Sequence, residues 1–152
     1  MERCLIECGS SSPEETENIG ESLACRLKPG AVVALTGGLG AGKTCLTKGI
    51  ARGMGIAENI TSPTYTIISE YQANMNGQNI SLFHIDAYRL SGDGDFENTG
   101  AGEYIGANGI TVIEWSDRIP RSIPPDAITI TIEITGPQNR IFRIEGMEFI
   151  VP

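Results

Sequence analysis

The spacing of apolar positions along the chain changes several times, and each change marks an element. Residues 4–8 form a short strand candidate. Ser12-Pro13-Glu14-Glu15 then reads as an N-cap, a proline in the first helical turn and a capping-box carboxylate. Behind it Ile19, Leu23 and Leu27 recur every four residues, which puts one apolar stripe on a helix that packs on a sheet. Lys28-Pro29-Gly30 supplies the stop. Residues 31–36, AVVALT, are apolar without alternation, the pattern of a strand covered on both faces.

A helix is predicted from Lys43 to about Met54, after which the pattern turns to strands. Residues 64–71 and 79–86 flank the polar, turn-prone stretch NMNGQ and predict an antiparallel hairpin. Residues 110–113 are another buried strand, ending at Glu114-Trp115. Residues 127–135, AITITIEIT, alternate strictly, and residues 140–145 can return after Gly136-Pro137-Gln138-Asn139. The C-terminal third is therefore read as sheet with one wetter face. With no internal repeat, low-complexity tract or long linker, the expectation is a single α/β domain over residues 1–152, three-layered around a mixed parallel and antiparallel sheet.

Composition narrows the function classes. The chain has 152 residues, 40% hydrophobic and 20% charged, which fits one globular domain, and no apolar run approaches the roughly 18 residues needed to span a bilayer, so no membrane role is expected. Eleven Lys and Arg against 19 Asp and Glu give a net charge of −8. Such a surface repels phosphate backbones, so contact with RNA requires a basic partner. A local anion site of backbone N–H groups and one lysine stays compatible with it. The four cysteines never occur as CxxC and His84 is the sole histidine, so no zinc-ligand spacing exists, and His84 is read as a core or sheet residue. The N-terminus has no basic segment followed by an apolar one, and the expectation is a cytoplasmic protein with reduced thiols.

The candidate chemistry begins at Gly37-Gly38-Leu39-Gly40-Ala41-Gly42-Lys43-Thr44. This run satisfies GxxxxGK[ST] between a buried strand and a predicted helix, where a phosphate loop must lie. Glycines allow the backbone close to the β-phosphate, so successive N–H groups can line a concavity at the helix N-terminus. Lys43 then reaches the β- and γ-phosphates and Thr44 places its hydroxyl on Mg²⁺, with Cys45 following in the helix. The fold expectation sharpens to a P-loop NTPase-like domain.

Phosphoryl transfer also requires a carboxylate at the metal, from the end of a neighbouring strand. Asp86 closes NISLFHID and Glu114 closes ITVIE. Asp86 is assigned to the metal, and Glu114 to the attacking water and the metal site; the competing readings are a turn cap for Asp86 and a surface ion pair for Glu114. Ser62 and Thr64, in Ser62-Pro63-Thr64-Tyr65, are either γ-phosphate-sensing hydroxyls or ordinary turn residues. Arg89 stabilises transition-state charge or holds a carboxylate, and Trp115 flanks the nucleotide or packs in the core.

The blocks GGLGAGKT, SPTYTIISEY, HIDAYRL and VIEW, in this order and spacing, resemble the TsaE (YjeE) family from about Glu15 to about Arg143. The resemblance implies a small ATPase that uses ATP and Mg²⁺. It also implies association with the TsaD and TsaB proteins, which transfer a threonylcarbamoyl group to adenosine 37 of tRNAs reading codons that begin with A. Lys43 and Thr44 match the family's phosphate loop, Asp86 its HxD carboxylate, and Glu114 with Trp115 its EW pair. By family position, Thr16 and Glu17 flank the base. The chain departs from the family at Gly38, where an Asp is common, and at Cys45, where a second Thr is. It departs again in residues 91–103, SGDGDFENTGAGE, where Gly92, Gly94, Gly100 and Gly102 weaken any helix.

Three functional readings follow. One is a slow Mg²⁺-dependent ATPase serving a partner complex, its acidic surface suited to basic partners. The second is a small-molecule kinase, which needs an arginine-bearing lid that the scattered later arginines do not suggest. The third is a nucleotide-gated binding module in which hydrolysis is incidental. A GTPase lacks its NKxD-like motif here.

Overall fold

The computed structural model describes residues 4–63 and 67–147. Among these residues β1 (Leu5–Ser10), β2 (Val32–Gly37), β3 (Ile68–Met75), β4 (Gln78–Asp86), β5 (Gly109–Glu114), β6 (Ile128–Ile134) and β7 (Arg140–Glu145) form one sheet. Its order is β1-β7-β6-β2-β5-β4-β3. The continuously apolar strands β2, β5 and β4 occupy the centre and run parallel, together with the alternating β6 beside β2. β7 and β1 extend one side and β3 the other, all antiparallel to their neighbours.

Two apolar clusters sandwich this sheet. Helices α1 (Pro13–Ala24) and α2 (Lys43–Gly53) cover one face, with Leu23, Leu46 and Ile50 packed against Leu35, Ile110 and Phe142. On the other face Phe96 of α3 (Asp93–Thr99) joins Ala101 and Ile119, from 3-10 turns and their flanks, against Val32, Ile85 and Ile113. The expected three-layer α/β architecture with a mixed sheet is thus present. No helix among the described residues is long and apolar enough to cross a membrane.

Local chemistry accounts for most boundaries. Ser12 caps α1 by accepting the Glu15 N–H at 3.1 Å. Glu15 returns the interaction one residue earlier than a regular capping box: its carboxylate accepts the Ser11 N–H at 2.9 Å, and these bonds hold it below the ordinary carboxylate range. The helix ends at Ala24, so Leu27 is buried from the turn that follows rather than from the predicted stripe. β3 is described from Ile68; the predicted start at Thr64 lies outside the described residues.

The glycine-rich segment corrects the sequence-based expectation, because residues 93–99 are helical and residues 101–104 form a 3-10 turn. Three contacts override the low propensity. Phe96 is buried, the Asp95 carboxylate accepts the Ser91 N–H at 3.1 Å, and the Asp93 carboxylate accepts both the Ser122 N–H at 2.8 Å and its hydroxyl at 2.7 Å. Gly100, at φ 76°, then ends the helix.

A second feature decides how close α1 and α2 approach. A Cβ at Gly49 would lie 2.0 Å from the Glu17 carbonyl oxygen, and one at Gly20 would lie 2.4 Å from that of Leu46. These glycines let the two backbones touch, which sets the position of the N-terminus of α1 beside that of α2.

Candidate functional site

The C-terminal ends of the parallel strands open on a cavity of about 540 Å³. Residues 39–45 form its floor; Ser12, Pro13 and Thr16 of the α1 entry lie on one side, and Pro137, Gln138 and Arg140 of the β6–β7 hairpin line it too. Asp86, Glu114, Trp115, Tyr88 and Ser62 complete the lining. This is where ligands bind open α/β sheets.

The loop reaches its shape through glycine. Gly42 caps α2 at φ 106° with no side-chain hydrogen bond, so the first amides of an 11-residue helix are available to an anion. Gly37 and Gly38 supply carbonyls rather than cavity surface: the Lys43 ammonium donates to them at 2.7 and 2.9 Å. The same ammonium sits 3.9 Å from the centre of the Trp115 ring. Burial holds Lys43 below its ordinary range, against the opposing pull of Glu114, Asp117 and Asp86. A side chain at Gly38 would meet nothing within 4 Å, so the family's Asp has room there.

The strand-end carboxylates come together as β4 and β5 pair in parallel, with Asp86 opposite Glu114. Glu114 is buried, which removes the surface ion-pair reading, and its two carboxylate oxygens accept from the Thr44 hydroxyl at 3.1 and 3.2 Å. Thr44 also lies 2.8 Å from the Ser62 hydroxyl. Asp86 does cap a turn, accepting the Tyr88 N–H at 3.0 Å, while it lines the cavity. Both readings of Asp86 therefore describe the same side chain.

Trp115 adopts φ 58°, ψ 41°, left-handed backbone that a bulky side chain rarely takes. That turn brings its ring over the cavity, against Tyr88 at 4.8 Å. Cys45 reaches the lining as well, its thiol pointing to the Pro13 carbonyl at 3.2 Å and raised by burial. Thr64 lies outside the described residues. Arg89 is exposed and absent from the lining; Glu17, half-buried with its carbonyl facing Gly49, is absent from it too, and Thr16 is in it.

Sequence reasoning missed Arg140. Its guanidinium donates to Gly40 O at 2.9 Å and Ala41 O at 3.1 Å, and to Gly136 O and Asn139 O of the hairpin. It ties the phosphate loop to the β6–β7 turn through the loop carbonyls. It also missed the bond from His84 to Glu114, 2.5 Å long and fully buried.

The family model described as "Threonylcarbamoyl adenosine biosynthesis protein TsaE" matches residues 10–142. The chain belongs to the TsaE family. A TsaE protein of Treponema pallidum (strain Nichols) is 39% identical over 135 residues, spanning 89% of this chain and 96% of that relative. One of Bacillus subtilis (strain 168) is 40% identical over 129 residues, 85% of this chain and 78% of the relative. The crystal structure of Bacillus subtilis YdiB superposes with a TM-score of 0.76 at 33% identity, covering 97% of this chain and 89% of that one. For this TsaE-family chain the fold expected from the sequence therefore stands on its own geometry and on that of a solved relative.

Proposed function

We propose that this TsaE-family chain, as a single ATPase domain, binds ATP with Mg²⁺, hydrolyses it slowly, and supports N6-threonylcarbamoyladenosine modification of tRNA position 37 alongside TsaD and TsaB. The observation that carries the reading is the Thr44 hydroxyl bonded to the Glu114 carboxylate beneath the phosphate loop, with Asp86 beside it. The oxygen set of Thr44, Ser62, Asp86 and Glu114 suits a hard cation. No group of three His, Cys, Asp or Glu gathers as a cage among the described residues, consistent with an ion that keeps waters and phosphate oxygens. Thr44 would hold Mg²⁺ directly, with Asp86 and Glu114 acting through water. When bound, the ion neutralises charge on the β- and γ-phosphates.

The chain's own residues do the rest. The amides opening α2 cradle the β-phosphate, and Lys43 exchanges the Gly37 and Gly38 carbonyls for phosphate oxygens. Trp115 lies against the ammonium, and Arg140 braces the loop through the Gly40 and Ala41 carbonyls. Glu114, at the end of β5, accepts a hydrogen bond from the attacking water and orients it. With net charge −8 the chain reaches tRNA through the partner complex rather than alone.

The test is Mg²⁺-dependent ATP hydrolysis by the purified chain, alone and with TsaD, TsaB and tRNA. Turnover that rises with the complex, vanishes in Lys43→Ala with loss of binding, and vanishes in Glu114→Ala with binding retained supports the proposal. Confirmed ATP binding without turnover in any mixture would sink the ATPase. It would favour the gating module, for which one contact speaks: the Thr44–Ser62 bond links the phosphate loop to the segment after α2. tRNA modification that survives in Glu114→Ala points the same way.

A further inference from the structure

We propose that His84 is the positioning residue for Glu114, holding its carboxylate in place by donating the Nε2 proton. The inference rests on the reading of Glu114 given above. His84 is wholly buried in β4, two residues before Asp86 and on the same face, and Nε2 lies 2.5 Å from Glu114 Oε2. Nδ1 is buried with no hydrogen-bond partner among the described residues.

These two facts determine where the proton sits. A carboxylate accepts only, so Nε2 must donate. A proton on Nδ1 would be an orphaned buried N–H, which folded proteins avoid far more strictly than an unpaired acceptor. The Nε2–H tautomer, with Nδ1 bare, satisfies both ends.

The bond matters because of what else holds Glu114. Among the described residues the other side chain bonded to that carboxylate is Thr44, through its hydroxyl. The proposed site commits that hydroxyl to Mg²⁺. Once it turns, His84 is what keeps the carboxylate from rotating about its last torsion. The imidazole is wholly buried and does not line the cavity, so it acts only through the orientation of Glu114. Such supporting groups change rates by about 10–100-fold when removed.

Two measurements on the tag-free full chain test this. His84 is the sole histidine, so its ring nitrogens can be read directly by ¹⁵N NMR without assignment. The expected spectrum has a protonated Nε2 with a strongly downfield proton and a bare Nδ1, and the downfield proton moves upfield in Glu114→Gln. An Nδ1–H tautomer, or a spectrum indifferent to Glu114→Gln, overturns the proposal whether or not the chain hydrolyses ATP. The second is steady-state turnover with the partner complex. His84→Phe should lower kcat about 10–100-fold with KM and nucleotide affinity unchanged. His84→Gln, which keeps an N–H near the Nε2 position, should recover most of it. A His84→Phe variant that is folded and fully active overturns the idea, as does a His84→Gln variant as slow as the Phe one. Absent turnover in the unmutated chain counts against the ATPase reading instead, and the NMR result then decides the hydrogen bond alone.

Discussion

Alanine at Gly49 and at Gly94 should change stability in opposite directions, although both glycines lie inside helices. Helix propensity alone favours alanine by about 1 kcal/mol at Gly49, in the interior of α2, and by less at Gly94, the second residue of α3. At Gly94, in α3, a new Cβ meets nothing within 4 Å, so that gain is unopposed and the variant should be more stable by up to about 1 kcal/mol. At Gly49 the Cβ would stand 2.0 Å from the Glu17 carbonyl oxygen, 2.8 Å from its carbon and 2.9 Å from the Glu17 Cα. All three atoms are backbone, so no side chain can swing aside. Restoring an ordinary separation of 3.4 Å requires α1 and α2 to part by about 1.4 Å at the crossing.

Overpacking of this kind costs about 1–3 kcal/mol, and a clash with backbone belongs at the upper end. Subtracting the propensity gain leaves Gly49→Ala less stable by about 2 kcal/mol, a fall in Tm of roughly 4–8 °C for a chain of this length. Urea denaturation of both variants, with the slope checked for constancy, measures the two signs directly. A Gly49→Ala chain as stable as the unmutated one, or stabilised like Gly94→Ala, would show that the helices do not cross this closely. The site reports the same displacement, since α1 carries Thr16 and α2 carries Thr44 into the cavity.

Arg140→Met keeps the aliphatic stem but frees the carbonyls of Gly40 and Ala41; ATP affinity should fall about tenfold, as loss of one or two charge-assisted bonds at a half-buried site implies, and unchanged affinity by calorimetry would remove Arg140 from the loop's support. Trp115 is the sole tryptophan and lies under the Lys43 ammonium, so Lys43→Met should alter its emission, and ATP should shift that emission in the unmutated chain but not in the variant. Glu15 has a carboxylate lowered below its ordinary value of 4.5 by the Ser11 bonds, so its stabilisation is present above that value and is lost as pH falls through the lowered one. Glu15→Gln should accordingly be less stable than the unmutated chain at neutral pH and converge with it in acid; a gap that persists at low pH would mean the capping bonds do not depend on the charge.

What could be read from the sequence was whatever sits close together along it. The phosphate loop is eight consecutive residues, and the strand before it and helix after it were visible as changes of period. Asp86 and Glu114 were legible for a related reason: each closes an apolar run, and a run that ends in a carboxylate points to the rim of a sheet. Their adjacency was not legible, because it depends on β4 pairing with β5 in one register, and a slip of two residues would separate them. The same dependence hid the His84–Glu114 bond, 30 residues apart, and the Arg140 contacts, which join the loop to a hairpin about 100 residues later. α3 was lost for the opposite reason. Its local signal, four glycines in 13 residues, argues against a helix and is overridden by burial of Phe96 and by the bonds of Asp93 and Asp95. Gly49 and Gly53, where a Cβ at the latter would lie only 2.8 Å from the Glu21 carbonyl oxygen, carried a signal in their four-residue spacing, but small residues on one helix mean close approach only once the facing helix is known. The residues that do the proposed chemistry were therefore visible as types, while those that hold them in position emerged only from the pairing of distant segments.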